Sequence, residues 1–362
     1  MKNKIAIIES GFMSNYIDGF ITLCKKHNIE VHLFTFYRNS NYETLADRVF
    51  KLESVYLPKK FETKTIVEEE IKSLVNIDDY DYFLTDCMGL SFTCNIFHNI
   101  SLTQRMSIAR NPIYRKILQI FHKKQIDHEK HYYKNCPKMV VVSNYLKEDY
   151  SKNCSYPKEK IIVAYPGTNN DNLINLSENT SKNTFTIGAV TCGFVTKGGY
   201  NVLEALRVLK KKYSHTQLKA RIINPTYSKQ KLLKLFVKLT GLNRYVDFLP
   251  YQKDINKFYK TVDCVICASN YEAFGRVVTE AMLCNRPVIV GSNVGAADII
   301  QDGKNGFIFN NQNPAKNLAE KIETVMQNKG HLQNLTKEAY RTAKQLSWQN
   351  FAQSIFYSLY VF

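Results

Sequence analysis

The sequence predicts an α/β protein built from two doubly wound domains, and three observations carry that expectation. Short apolar runs of strand length alternate with segments of helical period along most of the 362 residues, which is the pattern of parallel sheets wrapped by helices. That length suffices for two hydrophobic cores. A polar stretch, NNDNLINLSENTSKN at 169–183, lies between two such series and reads as a linker. Hydrophobic content of 44% with 22% charged residues excludes a disordered or fibrous chain.

The first series begins with a strand at Ile5–Ile8, a loop Glu9-Ser-Gly11-Phe12-Met13, and a helix over Tyr16–His27. Strands follow at Val31–Phe36, Tyr82–Thr85, Val140–Val142 and Ile161–Ala164. Ser143 stands where a helix N-cap is needed before NYLKEDY. Tyr165-Pro166-Gly167-Thr168 is the turn that closes the series, so the first Rossmann-like domain spans 1–167.

The second Rossmann-like domain spans 168–345 and opens on a strand at Phe185–Val190. Its loop, 191–199, carries a glycine-flanked lysine, Lys197, at the start of a helix; that position suits a point-charge contact to phosphate. Strand Lys219–Ile223, helix Gln230–Thr240, strand Val246–Leu249, helix Ile255–Thr261 and strand Cys264–Ala268 follow. A helix then runs from about Phe274–Gly275 to Cys284–Asn285, before strand Val288–Gly291, a helix opening at Val294–Asp298 and a strand within Gly303–Phe309. The tail from Leu346 to Phe362, with Trp348 as the only tryptophan, has the period of an aromatic amphipathic helix, for which core packing is expected.

Within this order the stretch SNYEAFGRVVTEAMLCNRPVIVG concentrates the chemistry. Its loop leaves a strand at the carboxyl edge of a parallel sheet, where open α/β folds bind ligands. A glycine at the helix start admits a diphosphate to free N–H groups at the positive end of the helix dipole. Glu272 and Glu280 stand eight positions apart, a rise of roughly 12 Å if the helix were continuous. That is of the order of a nucleotide diphosphate-sugar, with one carboxylate for sugar hydroxyls and the other for ribose.

Glu272-Ala273-Phe274-Gly275 through Glu280-Ala281-Met282 resembles the E-x7-E region of retaining glycosyltransferases of the GT-B fold, group 1 (family 4) type. The resemblance implies two Rossmann-like domains with a cleft between them, and a final helix, 346–362, that crosses back to the first domain. It implies that Glu272 holds the donor sugar, that the Phe274–Gly275 backbone meets the phosphates, that Glu280 binds ribose and that Ala273 is among the donor-binding residues. Lys197-Gly198 matches the family's K-G, whose lysine neutralises the pyrophosphate. The family's arginine after the strand glycine is missing, since Ala189 follows Gly188; either another cation, with Arg276 the candidate, replaces it, or phosphate binding is weaker. Gly11 and Phe12 are carried over from the first loop to the donor side, and His98 is the candidate of the first domain for the sugar or acceptor. The implied reaction moves a hexose from a UDP- or GDP-sugar to a hydroxyl with retention, by front-face attack, with no metal and no cofactor beyond the nucleotide-diphosphate sugar.

Net charge is +17 and uneven: residues 101–150 carry ten basic and four acidic side chains, and residues 201–250 eleven and two. The segment SLTQRMSIARNPIYRKILQIFHKKQ interleaves cations with apolar residues in the manner of a helix leaning on anionic headgroups, or of a solvated basic face. KLLKLFVKL at 231–239 is expected to pack on its sheet. The basic surface prompts a glycan or lipid-linked glycan acceptor in envelope polysaccharide synthesis (lipopolysaccharide, capsule or lipid-linked oligosaccharide) and a cytoplasmic location with peripheral membrane contact. No helix-turn-helix, RNP or zinc pattern supports a nucleic-acid partner. A GT-B-shaped nucleotide-sugar epimerase is the rival enzyme.

Three metal or redox readings are set aside. Asp79-Tyr80-Asp81 fits the D-x-D metal-holding pattern of a different glycosyltransferase fold but not its context, since it sits in an acidic strand entry. His122, His128 and His131 suit a polar helix face, and Cys264-x-x-Cys267 lies inside a strand without a second pair. Nine scattered cysteines point to reduced thiols. Neither a signal peptide nor a membrane-spanning stretch is expected.

Overall fold

A computed structural model describes residues 2–9, 14–37, 40, 42–53, 62–85, 90, 92–97, 101, 104, 116, 119–168, 173, 184–224 and 226–360. By packing, the chain divides into two units: Met1–Gly167 with Ser347–Phe362, and Thr168–Leu346. Gly11, Phe12, His98, most of the basic segment after Ser101 and nearly all of the 169–183 stretch lie outside the described residues.

The first unit holds a parallel sheet of seven strands: β1 (Lys4–Glu9), β2 (Glu30–Thr35), β3 (Arg48–Lys51), β4 (Tyr82–Thr85), β5 (Cys94–Phe97), β6 (Met139–Val141) and β7 (Ile161–Val163). Their order, β3-β2-β1-β4-β5-β6-β7, reverses between β1 and β4. Ile5, Ala6, Ile7, Leu33 and Phe34 are fully buried, as strands covered on both faces must be. Helices α1 (Ile17–Lys26), α2 (Glu62–Leu74), α3 (Lys123–Asn135) and α4 (Asn144–Cys154) belong to this unit. Ser143 caps α4 as expected, its hydroxyl accepting from the Leu146 N–H at 3.2 Å.

The second unit holds a parallel sheet of six strands: β8 (Phe185–Val190), β9 (Leu218–Ile223), β10 (Val246–Leu249), β11 (Cys264–Cys267), β12 (Val288–Gly291) and β13 (Phe307–Phe309). The order is β10-β9-β8-β11-β12-β13, so the direction of winding reverses between β8 and β11. Helices α5 (Gly199–Leu209), α6 (Lys231–Leu239), α7 (Ile255–Tyr259), α8 (Arg276–Leu283), α9 (Pro314–Gln327) and α10 (Lys329–Lys344) complete it. Its core joins Ile187, Leu206, Ile222, Ile266, Ile289 and Ile322.

The last helix, α11 (Trp348–Tyr360), belongs to the first unit, where Phe351 and Phe356 meet the rings of Tyr16 and Phe20 edge-on at 5.7 and 5.9 Å. Several sequence expectations are corrected in detail. The helix expected at Val294–Asp298 is a 3₁₀ turn, Gly295–Ile299, and the strand within Gly303–Phe309 shortens to its last three residues. The α6 helix packs on the core of its unit as expected, through Leu233 and Val237 with Phe236 half-buried, and leaves Leu232, Leu235 and Leu239 exposed.

Candidate active site

Strands β8 and β11 pair in register, Val265 beside Gly188 and Ile266 beside Ala189, and therefore end at the same level. The loops that follow them, 191–198 and 268–275, leave side by side at the switch point of the second sheet. That is where a doubly wound sheet opens a crevice. Lys197 stands in one loop and Glu272 in the other.

Hydrogen bonds tie these loops together. The Asn270 N–H donates to the Thr196 carbonyl at 3.0 Å, and the Asn270 side chain to the Val195 carbonyl at 2.7 Å. Asn201, on α5, donates to the Ala268 carbonyl and to the Asn270 side chain, both at 3.1 Å. A third loop joins them: the Glu272 N–H donates to the Asn293 carbonyl at 3.1 Å, and the Gly295 and Ala296 N–H groups donate to the Glu272 and Phe274 carbonyls at 3.0 and 2.7 Å. Gly198 fits because its φ is +68° and a Cβ there would lie 1.7 Å from the Ala268 oxygen, so no side chain is tolerated.

On this frame the Lys197 ammonium and the Glu272 carboxylate form an ion pair. The same carboxylate oxygen, Oε2, accepts from the Ser269 hydroxyl at 3.2 Å. Glu272 is 18% exposed and Lys197 37%, so both remain open to a solute. Phe274 is buried and anchors the loop, Ala273 is half-buried, and Arg276 is exposed at the first position of α8. Gly275 stands at the N-cap of that helix with φ +96° and offers no side-chain cap bond. The helix thus begins one residue beyond Gly275, and half of the separation between Glu272 and Glu280 is loop.

Glu280 lies in α8 and has a different partner. The hydroxyl of Tyr259, a fully buried residue at the end of α7, donates to Glu280 Oε2 at 3.0 Å. Burial first, and the adjacent carboxylate second, push the Tyr259 phenol well above its usual range, so it stays a proton donor. Behind it, the buried Arg286 donates through Nε to the Tyr259 carbonyl at 2.8 Å. Sequence reasoning missed Tyr259, Ser269, Asn270 and Asn201; Ser269 and Asn270 follow the end of β11, whereas Tyr259 and Asn201 lie in helices and carried no signal.

The other predicted features fall out as follows. Ala189 lies inside β8 and is buried, so the missing arginine is not a gap in the loop; the first exposed side chain after the strand is Cys192. Cys264 and Cys267 are three apart in β11 and so face opposite sides of the sheet. Burial, followed by the nearby Glu272 carboxylate, pushes the Cys267 thiol up to about 12. Tyr80 of the Asp79-Tyr80-Asp81 stretch is buried and meets His32 Nδ1 at 2.6 Å. Among the described residues no cluster of three or more His, Cys, Asp or Glu side chains is placed to hold a metal ion.

A lysine and a carboxylate from two loops at the switch point, beside the N-terminus of α8, mark the place where a doubly wound sheet binds ligands. Residues 172–342 match the family model Glycosyl transferases group 1. Two uncharacterized glycosyltransferases of Methanocaldococcus jannaschii are similar to it. One is 25% identical over 97% of this chain and 96% of its own length, and the other 26% identical over 59% and 57%. In fold it is similar to Anabaena HepE, solved with UDP and glucose, at a TM-score of 0.64 and 17% identity over 99% of both chains. The fold is GT-B.

Proposed function

We propose that the chain is a retaining, metal-independent hexosyltransferase of family 4 type that uses a nucleotide-diphosphate sugar. One observation carries the reading: Lys197 and Glu272, 75 residues apart, meet as an ion pair at the switch point of the second sheet. The donor diphosphate takes Lys197 as its counter-ion and releases Glu272 to the hydroxyls of the transferred sugar. Glu280, steadied by Tyr259, takes the ribose, and the α8 N-terminus with Arg276 meets the charge that grows on the leaving phosphate. That phosphate accepts the proton of the attacking hydroxyl at the face it leaves.

The acceptor is a glycan or lipid-linked glycan of envelope polysaccharide, and the enzyme works on the cytoplasmic side in peripheral contact with an anionic membrane. The basic surface supports that reading; among the described residues no helix is long and apolar enough to cross a bilayer. HepE, which binds UDP, makes UDP-hexoses the first donors to try.

Thermal stabilisation by UDP-, GDP-, ADP- and TDP-sugars tests the donor assignment, because a ligand of the native state alone raises Tm. One series is expected to shift the wild type by several degrees and Glu280→Ala far less. No shift from any series overturns the reading, as does conversion of the nucleotide sugar to an epimer without acceptor.

A further inference from the structure

The α6 helix presents a surface that the donor chemistry does not use. Its nine residues divide into three arcs at 100° per residue. Leu233, Phe236 and Val237 face the core of the second unit. Leu232, Leu235 and Leu239 form a stripe beside them, exposed to 80%, 50% and 77%. Lys231, Lys234 and Lys238 form the third arc, all exposed. The outward side of the helix is therefore half leucine and half lysine.

Its surroundings share that charge. From Ala205 to Val246 the chain has eleven basic residues and no acidic one. Arg207, Lys212 and Arg221 find carboxylates in Glu204, Glu323 and Asp247, which lie outside that stretch. Among the described residues none of the three α6 lysines has an ion-pair partner. The centres of protein interfaces are poor in lysine, whereas a basic amphipathic helix with an open leucine stripe suits the headgroup boundary of an anionic bilayer.

We infer that the outer face of α6 docks on anionic lipid, with the leucines at the acyl boundary and the lysines on the headgroups. The assignment rests on the membrane-peripheral reading above and names the surface that makes the contact. It is tested by co-sedimentation of the full chain with phosphatidylcholine vesicles, with and without phosphatidylglycerol, measured without donor or acceptor. A failure here therefore leaves nucleotide binding untouched.

The wild type is expected to bind only the vesicles containing phosphatidylglycerol and to release them in high salt. Replacing Lys231, Lys234 and Lys238 together by Gln should weaken binding roughly a hundredfold, at about fivefold per lysine. Replacing the three leucines by Ser should weaken it at least about tenfold. Both variants should keep the wild-type Tm and nucleotide-induced shift, since all six side chains are exposed. Wild-type binding by both variants overturns the assignment, as does absence of wild-type binding. An oligomer in sedimentation velocity that the leucine variant dissolves also overturns it, by making the face a contact between copies.

Discussion

The two glutamates of one motif, eight residues apart, are held in opposite ways. Glu272 sits in a loop, paired with a half-exposed cation from another loop. Glu280 sits in a helix, bonded to the hydroxyl of a fully buried tyrosine. A carboxylate with a movable ammonium partner is a group in exchange, since the partner leaves when a better anion arrives. A carboxylate held by a buried neutral donor keeps its orientation whether or not a ligand is present. On the proposed reading, the difference separates a group that acts from a group that binds.

The sharpest way to break that comparison is Glu272→Gln. Hexose transfer should fall at least about a hundredfold, the scale of losing one well-placed electrostatic contact. UDP should nevertheless bind about two- to fivefold more tightly, because a part-exposed ion pair worth up to about 1 kcal/mol no longer competes for Lys197. Calorimetry with UDP checks the second half, and weaker UDP binding sinks the exchange idea. Lys197→Ala should lose about tenfold or more in UDP affinity and in kcat/KM together.

Tyr259→Phe is the milder probe of the other glutamate. Loss of one hydrogen bond to a charged group, about 1.5–3 kcal/mol, should raise donor KM by roughly ten- to a hundredfold with kcat nearly unchanged. A fall in kcat at constant KM would show that Tyr259 does more than orient Glu280. The smallest effect is on pH. The folded Tyr259 keeps its proton above the ordinary phenol range, so its contribution is present below about pH 10 and is lost as pH rises towards its raised value. Tm measured from pH 8 to 11 should fall, and Tyr259→Phe should flatten the decline.

Much of the fold was legible because parallel strands buried on both faces leave continuous apolar runs, as in Ile5–Ile8 and Cys264–Ala268. What escaped had little such signal. β3 is an edge strand, RVFK, with charged ends, and α2 buries Val67 and Ile71 while leaving Ile66 and Leu74 exposed among charged residues. β5 shows only CNIF. Residues 310–345 carry no motif, yet α9 there has Pro314 at its start and Leu318, Ile322 and Val325 at helical spacing. In the site, Lys197, Glu272 and Glu280 were legible from motif spacing, and the structure brings the first two together. Their partners were not, because Tyr259 meets Glu280 through the packing of one helix beside another and Ser269 meets Glu272 within a loop, contacts that no spacing in the sequence marks. Gly11, Phe12 and His98 lie outside the described residues.

The placement of α11 has a consequence for synthesis. The second unit is continuous in sequence, so it is complete once Leu346 has emerged from the ribosome. The first unit, begun earlier, must wait for Ser347–Phe362 before Tyr16 and Phe20 are covered. The half made first is thus finished last. Until then a nascent chain carries an open aromatic face, and that interval is when a chaperone has most to hold.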